Sequence, residues 1–371
     1  MFRLSSLDAR EISKYISNDF EKVIVFLDLD NLLFSFYYDT IYTDINTFFE
    51  TIRTTLHEVA LSVYNFKRSL DYILTQQHMR ESTIILFTNF GPPTAIKKLL
   101  PKYKEHRQIV KVIPSTELIR FLATKENITN IDVNQIRYIS KRYLYRTMQQ
   151  LVNKLFRNVA MVISRNMDSD YIPYLIYKRY GKPKNQYWIF SADKDFIQML
   201  VHKNVCLYSR RNVKQEDDLL GSLTKVQTRI LIASRLSKQQ INDLEHPVLH
   251  PIYLAITGDN SDKIQSLKRR LGIKNVVDIL NINKDRIIDA YTTNSISKLI
   301  ETVAEIFNIT KETDLELLRA NMIATSFLGH DSLYQEIDKV YILNQLKHLG
   351  TGHLVTDNLL PVIEAEIRSV I

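Results

Sequence analysis

The chain has one cysteine, eight glycines, nine prolines and one tryptophan in 371 residues. A single cysteine, Cys206, excludes an internal disulfide framework and any cysteine-rich zinc site; it falls in a strand-like run and is read as buried packing. Glycine stands at about 2% against a usual ~7%, beside abundant Ile, Lys, Asn and Tyr, a bias that fits an AT-rich genome and carries no function. No segment reads as an export signal, because MFRLSSLDAREISKY is too polar for one. The most apolar stretch, VIVFLDLDNLLFSFYY over residues 23–38, is cut by Asp28 and Asp30 and cannot be an apolar membrane span. These absences lead to the expectation of a cytoplasmic protein, in the host cytoplasm if viral, with no membrane partner.

What is present is ordinary for a globular chain: 45% hydrophobic and 24% charged residues. The length suggests two domains, or one with a large appendage, and enough core to fold without staples. The charge, 49 − 41 = +8, permits nucleic acid, an anionic surface or an acidic protein as partner and selects none of them.

Short apolar runs at 22–29, 83–88, 159–164, 187–191 and 204–208 read as buried strands. Helix-compatible segments lie between them, at 46–78, 94–107 with a kink at Pro101, 132–157, 169–180 and 194–201. Alternation of this kind predicts an α/β fold with a mostly parallel central sheet and helices on both faces. After about residue 225 no strand pattern remains, and the text reads as successive helices with breaks near 241–251 and 281–285. The expected division is an α/β core over 1–240 and a helical region over 241–371, able to pack on the sheet rather than fold alone.

Carboxylates cluster after the strands. Asp28 and Asp30 end the first; Asp168 and Asp170 follow the third; Asp193 and Asp195 follow the fourth; Asp259 and Asp262 sit in ITGDNSDKI after the apolar run 252–257. In a parallel sheet such residues gather at the edge formed by the strands' C-terminal ends. Gathered carboxylates need cations. Oxygen ligands without His or Cys select Mg²⁺, with Mn²⁺ as a substitute, and several acids can hold two ions about 3.5–4 Å apart, as in phosphodiester hydrolysis. Taken singly, Asp168 and Asp193 are better read as helix N-caps, and Asp30 and Asp195 are the weakest members. His57, His78, His106, His202, His246 and His250 show no ligand spacing.

Two families share these motifs. VFLDLDNLL, LFTN and GDNSD resemble the three motifs of haloacid dehalogenase-type phosphatases, with Asp28 as nucleophile, but leave residues 166–208 unexplained. The second likeness runs in order over residues 21–280 to the 5′-nucleases: flap endonucleases, phage RNase H and the 5′→3′ exonuclease domains of bacterial DNA polymerases. DLDNLLFSF resembles D-G-x-N-L-x-F-R, and LPKYKEHR resembles Y-P-x-Y-K-x-x-R at the start of a helical arch. DSDYIPYLIYK resembles E-A-D-D-x-I-A, and FSADKDFIQML resembles S-x-D-x-D-x-x-Q-L. LAITGDNSDKI resembles the L-x-G-D-x-S-D-N that precedes a helix-three-turn-helix.

The chain departs from that pattern where Asn89 replaces an Asp, where Asp168-Ser169-Asp170-Tyr171 loses one acid, and where Lys263 replaces an Asn. It departs again where the glycine hairpin is reduced to Leu271-Gly272-Ile273. The resemblance implies a PIN/5′-nuclease-like fold, an arch over about 92–157 and a duplex-binding segment over about 256–281. It implies metal ligation by Asp28, Asp168, Asp170, Asp193, Asp195, Asp259, Asp262 and Asn89, and catalytic roles for Lys104 and Arg107 at the scissile phosphate. It also implies nucleic-acid contacts from Lys97, Lys98, Lys102, Arg142, Arg146, Lys263, Lys268, Arg269, Arg270 and Lys274. Tyr138, Tyr143 and Tyr145 lie among bases; a tyrosine there is more often core than a base-stacking platform.

The implied activity is a Mg²⁺-dependent, two-ion 5′-nuclease of phage type. Its substrates are 5′ ends or flaps of branched DNA and RNA·DNA hybrids, as in RNA primer removal. It is expected to act as a monomer, with single-strand-binding or other replication proteins as partners. The alternatives are the phosphatase and a non-catalytic DNA-junction binder.

Overall fold

The computed structural model describes residues 4–30, 44–79, 81–90, 93–105, 114–129, 136–213, 225–232, 243–267, 272–349 and a few positions beyond 360. Six strands form one sheet: β1 (Lys22–Asp28), β2 (Thr83–Asn89), β3 (Val159–Ser164), β4 (Asn185–Phe190), β5 (Val205–Val213) and β6 (Lys225–Ile232), in the order β3-β2-β1-β4-β5-β6. The first five run parallel, and β6 pairs antiparallel with β5.

The antiparallel β5–β6 pair corrects the sequence expectation that the fifth strand ends at 208 and that no strand follows 225. SRRNV and KVQTRILI lack the continuous apolar run of a strand buried on both faces. An edge pair can be polar, so the hydrophobic signal that marks the central strands fades there.

Strand alternation sends alternate residues to opposite faces. Val23, Val25 and Leu27 of β1, with Trp188, Phe190 and Cys206, pack under α1 (Ser6–Ser13), α2 (Ile45–Gln76), α4 (Thr116–Glu126) and α5 (Ile136–Leu155). Phe26, Ile85, Phe87, Ile189 and Leu207 pack on the other face. That face carries α3 (Thr94–Leu99), α6 (Tyr171–Tyr180) and a 3₁₀ helix (Lys194–Val201). It also carries the C-terminal helices α7 (Leu249–Thr257), α8 (Ile273–Ile282), α9 (Lys284–Thr292), α10 (Ile296–Ile306), α11 (Glu312–Thr325), α12 (Phe327–Leu333) and α13 (Glu336–Asn344). One continuous apolar cluster joins this sheet face to those helices. By parity Asp28 turns to the same face.

Local chemistry sets the boundaries. Asp44 caps α2 by accepting the Asn46 and Thr47 N–H groups at 2.9 Å. The helix expected over 94–107 stops at Leu99, because Leu100 precedes Pro101 and is held extended at φ −127°. The exposed edge of the parallel sheet is closed by a side chain. Gln345, in a short 3₁₀ turn (Gln345–His348), accepts the Ile163 N–H at 3.0 Å and donates to the Ile163 carbonyl at 2.9 Å. That amide does for β3 what a neighbouring strand would do. Among the described residues no helix is long and apolar enough to cross a membrane.

Candidate metal centre

The chain runs from β1 outward through β2 to β3, then crosses back to β4 on the other side of β1. Such a switch point opens a crevice beyond the strands' C-terminal ends. The strand-end acids converge there. Asp28 ends β1 and accepts the Ser191 hydroxyl at 2.7 Å; Ser191 in turn accepts the Asp193 N–H at 3.0 Å. Asp193 caps the 3₁₀ helix by accepting the Asp195 N–H at 3.0 Å. The N-cap role thus holds for Asp193. At the start of α6 it does not: Asp170 stands at the cap position without a side-chain cap bond.

Asp170, Asp193 and Asp195 each offer one carboxylate oxygen, and these oxygens lie within 4.8 Å of one another. Asp170 is only 8% exposed, with Lys104 at 4.0 Å as its nearest cation among the described residues. One Asp195 oxygen, Oδ1, is buried without a hydrogen-bond partner. Burial raises all three carboxyl pKa values. For Asp170 the charges of Asp168 and Asp193 add to the rise, and for Asp195 those of Asp193 and Asp262 do; both are pushed well above the usual range. Asp193 rises too, tempered by the Asp195 N–H. Three oxygen donors with unmet negative charge fit a hard divalent cation and offer nothing to a soft one. Asp195, the weakest candidate by sequence spacing, belongs to this trio.

Asp168, Asp262, Asp259 and Asp30 are held by lysines. The Lys104 ammonium lies 2.8 Å from Asp168, 3.7 Å from Asp262 and 4.0 Å from Asp170. Its backbone sits in the left-handed region at φ 50°, and its N–H donates to the Asp262 carbonyl at 3.1 Å. The Tyr103 hydroxyl donates toward Asp168 at 3.0 Å and Asp262 at 3.3 Å. Burial alone would raise the Asp168 pKa, but Lys104, His330 and these hydrogen bonds hold it well below the ordinary value. Burial works against the Lys104 charge, but Asp168, Tyr103, Asp262 and Asp170 together outweigh it, so the ammonium keeps its proton more tightly than usual.

Asp259 accepts Lys194 at 2.9 Å together with the Ser261 hydroxyl at 2.6 Å, and its pKa is lowered. Its turn is closed by reciprocal backbone bonds with Ile264. Gly258 is required there: its φ is 80°, and a Cβ would stand 2.7 Å from the Ser266 nitrogen. Asp30 accepts Thr88, Tyr145 and, at 2.7 Å, Lys141. Asn89 meets Lys141 at 3.5 Å, the limit of a hydrogen bond.

The expected nucleic-acid contacts divide. Lys98, Lys102, Lys263 and Lys274 are exposed, and Lys97 is half-buried. Arg142 and Arg146 both pair with Glu126 at 3.2 Å and both stand over the Phe90 ring, Arg142 half-buried and Arg146 exposed. Tyr143 and Tyr145 are buried core, not stacking platforms. Arg107, Lys268, Arg269 and Arg270 lie outside the described residues, as does the Tyr138 side chain.

Three participants escaped sequence reasoning. Tyr103 and Ser191 lay inside the quoted motifs, where the bases and acids drew attention. Tyr334, whose hydroxyl accepts the Asp168 N–H at 3.0 Å, comes 166 residues later and carries no local signal.

No protein-family model matches the chain, and no curated protein matches it. Among solved structures it is similar to proteins of bacteriophage T5. One is a 5′-exonuclease with zinc bound, at 14% identity and a TM-score of 0.47. Another is a flap endonuclease in a pseudo-enzyme–product complex with DNA and metal ions, at 14% identity and 0.46. In both cases 94% of this chain and 99% of the other are covered. A likeness of this size says nothing about activity.

Proposed function

We propose that the chain is a divalent-metal-dependent 5′-nuclease that hydrolyses phosphodiesters at 5′ ends or flaps of branched DNA and in RNA·DNA hybrids. The observation that carries this is the Asp170–Asp193–Asp195 trio, built from the ends of β3 and β4 beside Asp28. The phosphatase reading needs Asp28, Thr88 and GDNSD to form the centre. Here Asp259 is held by Lys194 and Thr88 donates to Asp30, while that reading leaves the trio without a purpose.

In this reading Asp170, Asp193 and Asp195 hold a Mg²⁺ or Mn²⁺ ion, with Asp28 beside them. Such an ion supplies charge neutralisation at a phosphate and an activated water. Ser191 fixes the Asp28 carboxylate, and Tyr103 fixes Asp168. Lys104 brings a cation to the same crevice, suited to a phosphate that gains charge in the transition state. Arg107 is proposed to join it. Lys97, Lys98, Lys102, Lys263, Lys268, Arg269, Arg270 and Lys274 are proposed to follow the nucleic-acid backbone without reading sequence. The division at about residue 240 belongs to the same proposal, with the helical region gripping duplex. So does action as a cytoplasmic, phage-type monomer in replication.

The test is cleavage of a 5′-flap DNA and an RNA·DNA hybrid with Mg²⁺, beside a phosphomonoester. Flap or hybrid cleavage that needs the metal and is lost in Asp193→Asn supports the reading. Phosphomonoester turnover through a phosphorylated Asp28 overturns it.

A further inference from the structure

The acids of the crevice fall into two halves with different counter-charges. In one half Asp170, Asp193 and Asp195 face each other, and no lysine or arginine among the described residues comes within 4.0 Å of Asp193 or Asp195. In the other half one ammonium reaches Asp168, Asp262 and Asp170 at 2.8, 3.7 and 4.0 Å. Those three carboxylates come from two separate elements, the β3–α6 connection and the turn after α7, and they converge on the Lys104 Nζ as ligands converge on an ion. The Tyr103 hydroxyl fills the same oxygens, Oδ2 of Asp168 and Oδ2 of Asp262.

This arrangement is anchored rather than incidental. The Lys104 backbone is held left-handed, a costly conformation for a side chain with a Cβ, and is tied by its N–H to the Asp262 carbonyl. Its side chain is 11% exposed, so the ammonium has lost most of its water. A surface lysine gains little from an ion pair, but a desolvated one surrounded by carboxylates is held firmly.

We propose that Lys104 is a built-in counter-cation that occupies the second cation position of the crevice. The chain then binds one divalent ion tightly at Asp170, Asp193 and Asp195, and a second enters at Asp168 and Asp262 only by expelling the ammonium. The inference rests on the metal-site reading above and deepens it. Expulsion has a consequence for the substrate: the displaced Lys104 cation is freed to meet a phosphate at the moment the second position fills. Two mutually exclusive occupants of one place compete, so the second ion's affinity is lowered by the free energy needed to displace the ammonium.

The experiment uses Mn²⁺ as probe, with free ion followed by electron paramagnetic resonance, on the full chain and on Lys104→Met. The expected wild-type result is one tight ion and a second about tenfold or more weaker, corresponding to a displacement cost of about 1.4 kcal/mol or more. In Lys104→Met the gap closes because the second site tightens. Because that variant leaves two buried carboxylates unpaired and risks misfolding, wild-type protein gives an independent readout. Amine acylation mapped by mass spectrometry should find Lys104 protected without metal and at one equivalent of Mn²⁺, and reactive at saturation, with exposed Lys263 as the reference. Two equally tight ions with Lys104 still protected would overturn the inference and leave the metal site standing. No Mn²⁺ binding at all would overturn both.

Discussion

Replacing Asp170 by Asn should move stability in opposite directions with and without metal. Asp170 is 8% exposed, and its oxygen lies within 4.8 Å of oxygens from Asp193 and Asp195. At an effective dielectric near 20, two unit charges 4.8 Å apart repel by about 3.5 kcal/mol. Protonation already relieves much of this, because burial and the Asp168 and Asp193 charges raise the Asp170 pKa well above the ordinary value. Lys104, at 4.0 Å, attracts the Asp170 carboxylate by about 4 kcal/mol on the same footing, which offsets one neighbouring carboxylate but not burial and the several carboxylates together. A neutral amide of the same shape should therefore stabilise the metal-free protein by about 1–2 kcal/mol, a fraction of the full repulsion. With an unfolding entropy of about 2 cal/mol/K per residue, that raises the melting temperature by roughly 1–3 °C if the chain unfolds as one unit. Saturating Mg²⁺ should reverse the order. An ion present at a hundred times its Kd adds about 2.7 kcal/mol to the wild type, and a hundredfold loss of affinity on removing one of three carboxylate ligands leaves the variant only about 0.4, a difference of about 2.3 that exceeds the ~1–2 gained without metal. Differential scanning fluorimetry in chelator and across a Mg²⁺ titration reads both effects. A variant less stable than wild type in chelator, or one with an unchanged Mg²⁺-induced shift, would refute the reasoning.

Further outcomes follow from the same geometry. Asp170 and Asp195 bind their protons more tightly when folded, so their contribution to metal-free stability falls as pH rises from about 4 through their raised folded pKa values. Asp168 acts with the opposite sign: its stabilisation is present above pH ~4 and is lost as pH falls through its lowered folded pKa. Divalent ions should remove the first slope, and urea titrations at several pH values with and without Mg²⁺ check this. Tyr334→Phe should cost about 1–3 kcal/mol by leaving the buried Asp168 N–H without an acceptor, measured by denaturation. Asn89→Asp should tighten Mn²⁺ binding less than threefold, a few tenths of a kcal/mol, because Lys141 stands at that side chain; Lys141→Met added to it should tighten binding further.

Much of the crevice was legible because buried parallel strands announce themselves as apolar runs, and the acids follow those runs directly. VIVFLD, VAMVIS and WIFSADKD each place a carboxylate at or just past a strand end, so topology alone brings Asp28, Asp168, Asp170, Asp193 and Asp195 together. What stayed hidden depends on pairing in space. Nothing in LPKYKEHR shows that Lys104 turns inward among acids, since that follows from a left-handed backbone and a bond to the Asp262 carbonyl. Nothing in the helix shows that Arg142 and Arg146 share Glu126, sixteen and twenty residues earlier, as their carboxylate. β6 was missed because polar edge strands carry little periodic signal, and Gln345 because a side chain that closes a sheet edge looks like any other glutamine.

The central claim is that the strand-end carboxylates hold a divalent ion that cuts phosphodiesters at 5′ structures. Its most direct measurement is single-turnover hydrolysis of a labelled 5′-flap DNA by the full chain, in Mg²⁺ and in chelator, with Asp193→Asn in parallel. Cleavage should appear with Mg²⁺, vanish in chelator and vanish in the variant while the variant still binds the flap. Intact flap DNA under every divalent ion tried, or cleavage that survives both chelator and Asp193→Asn, would contradict it.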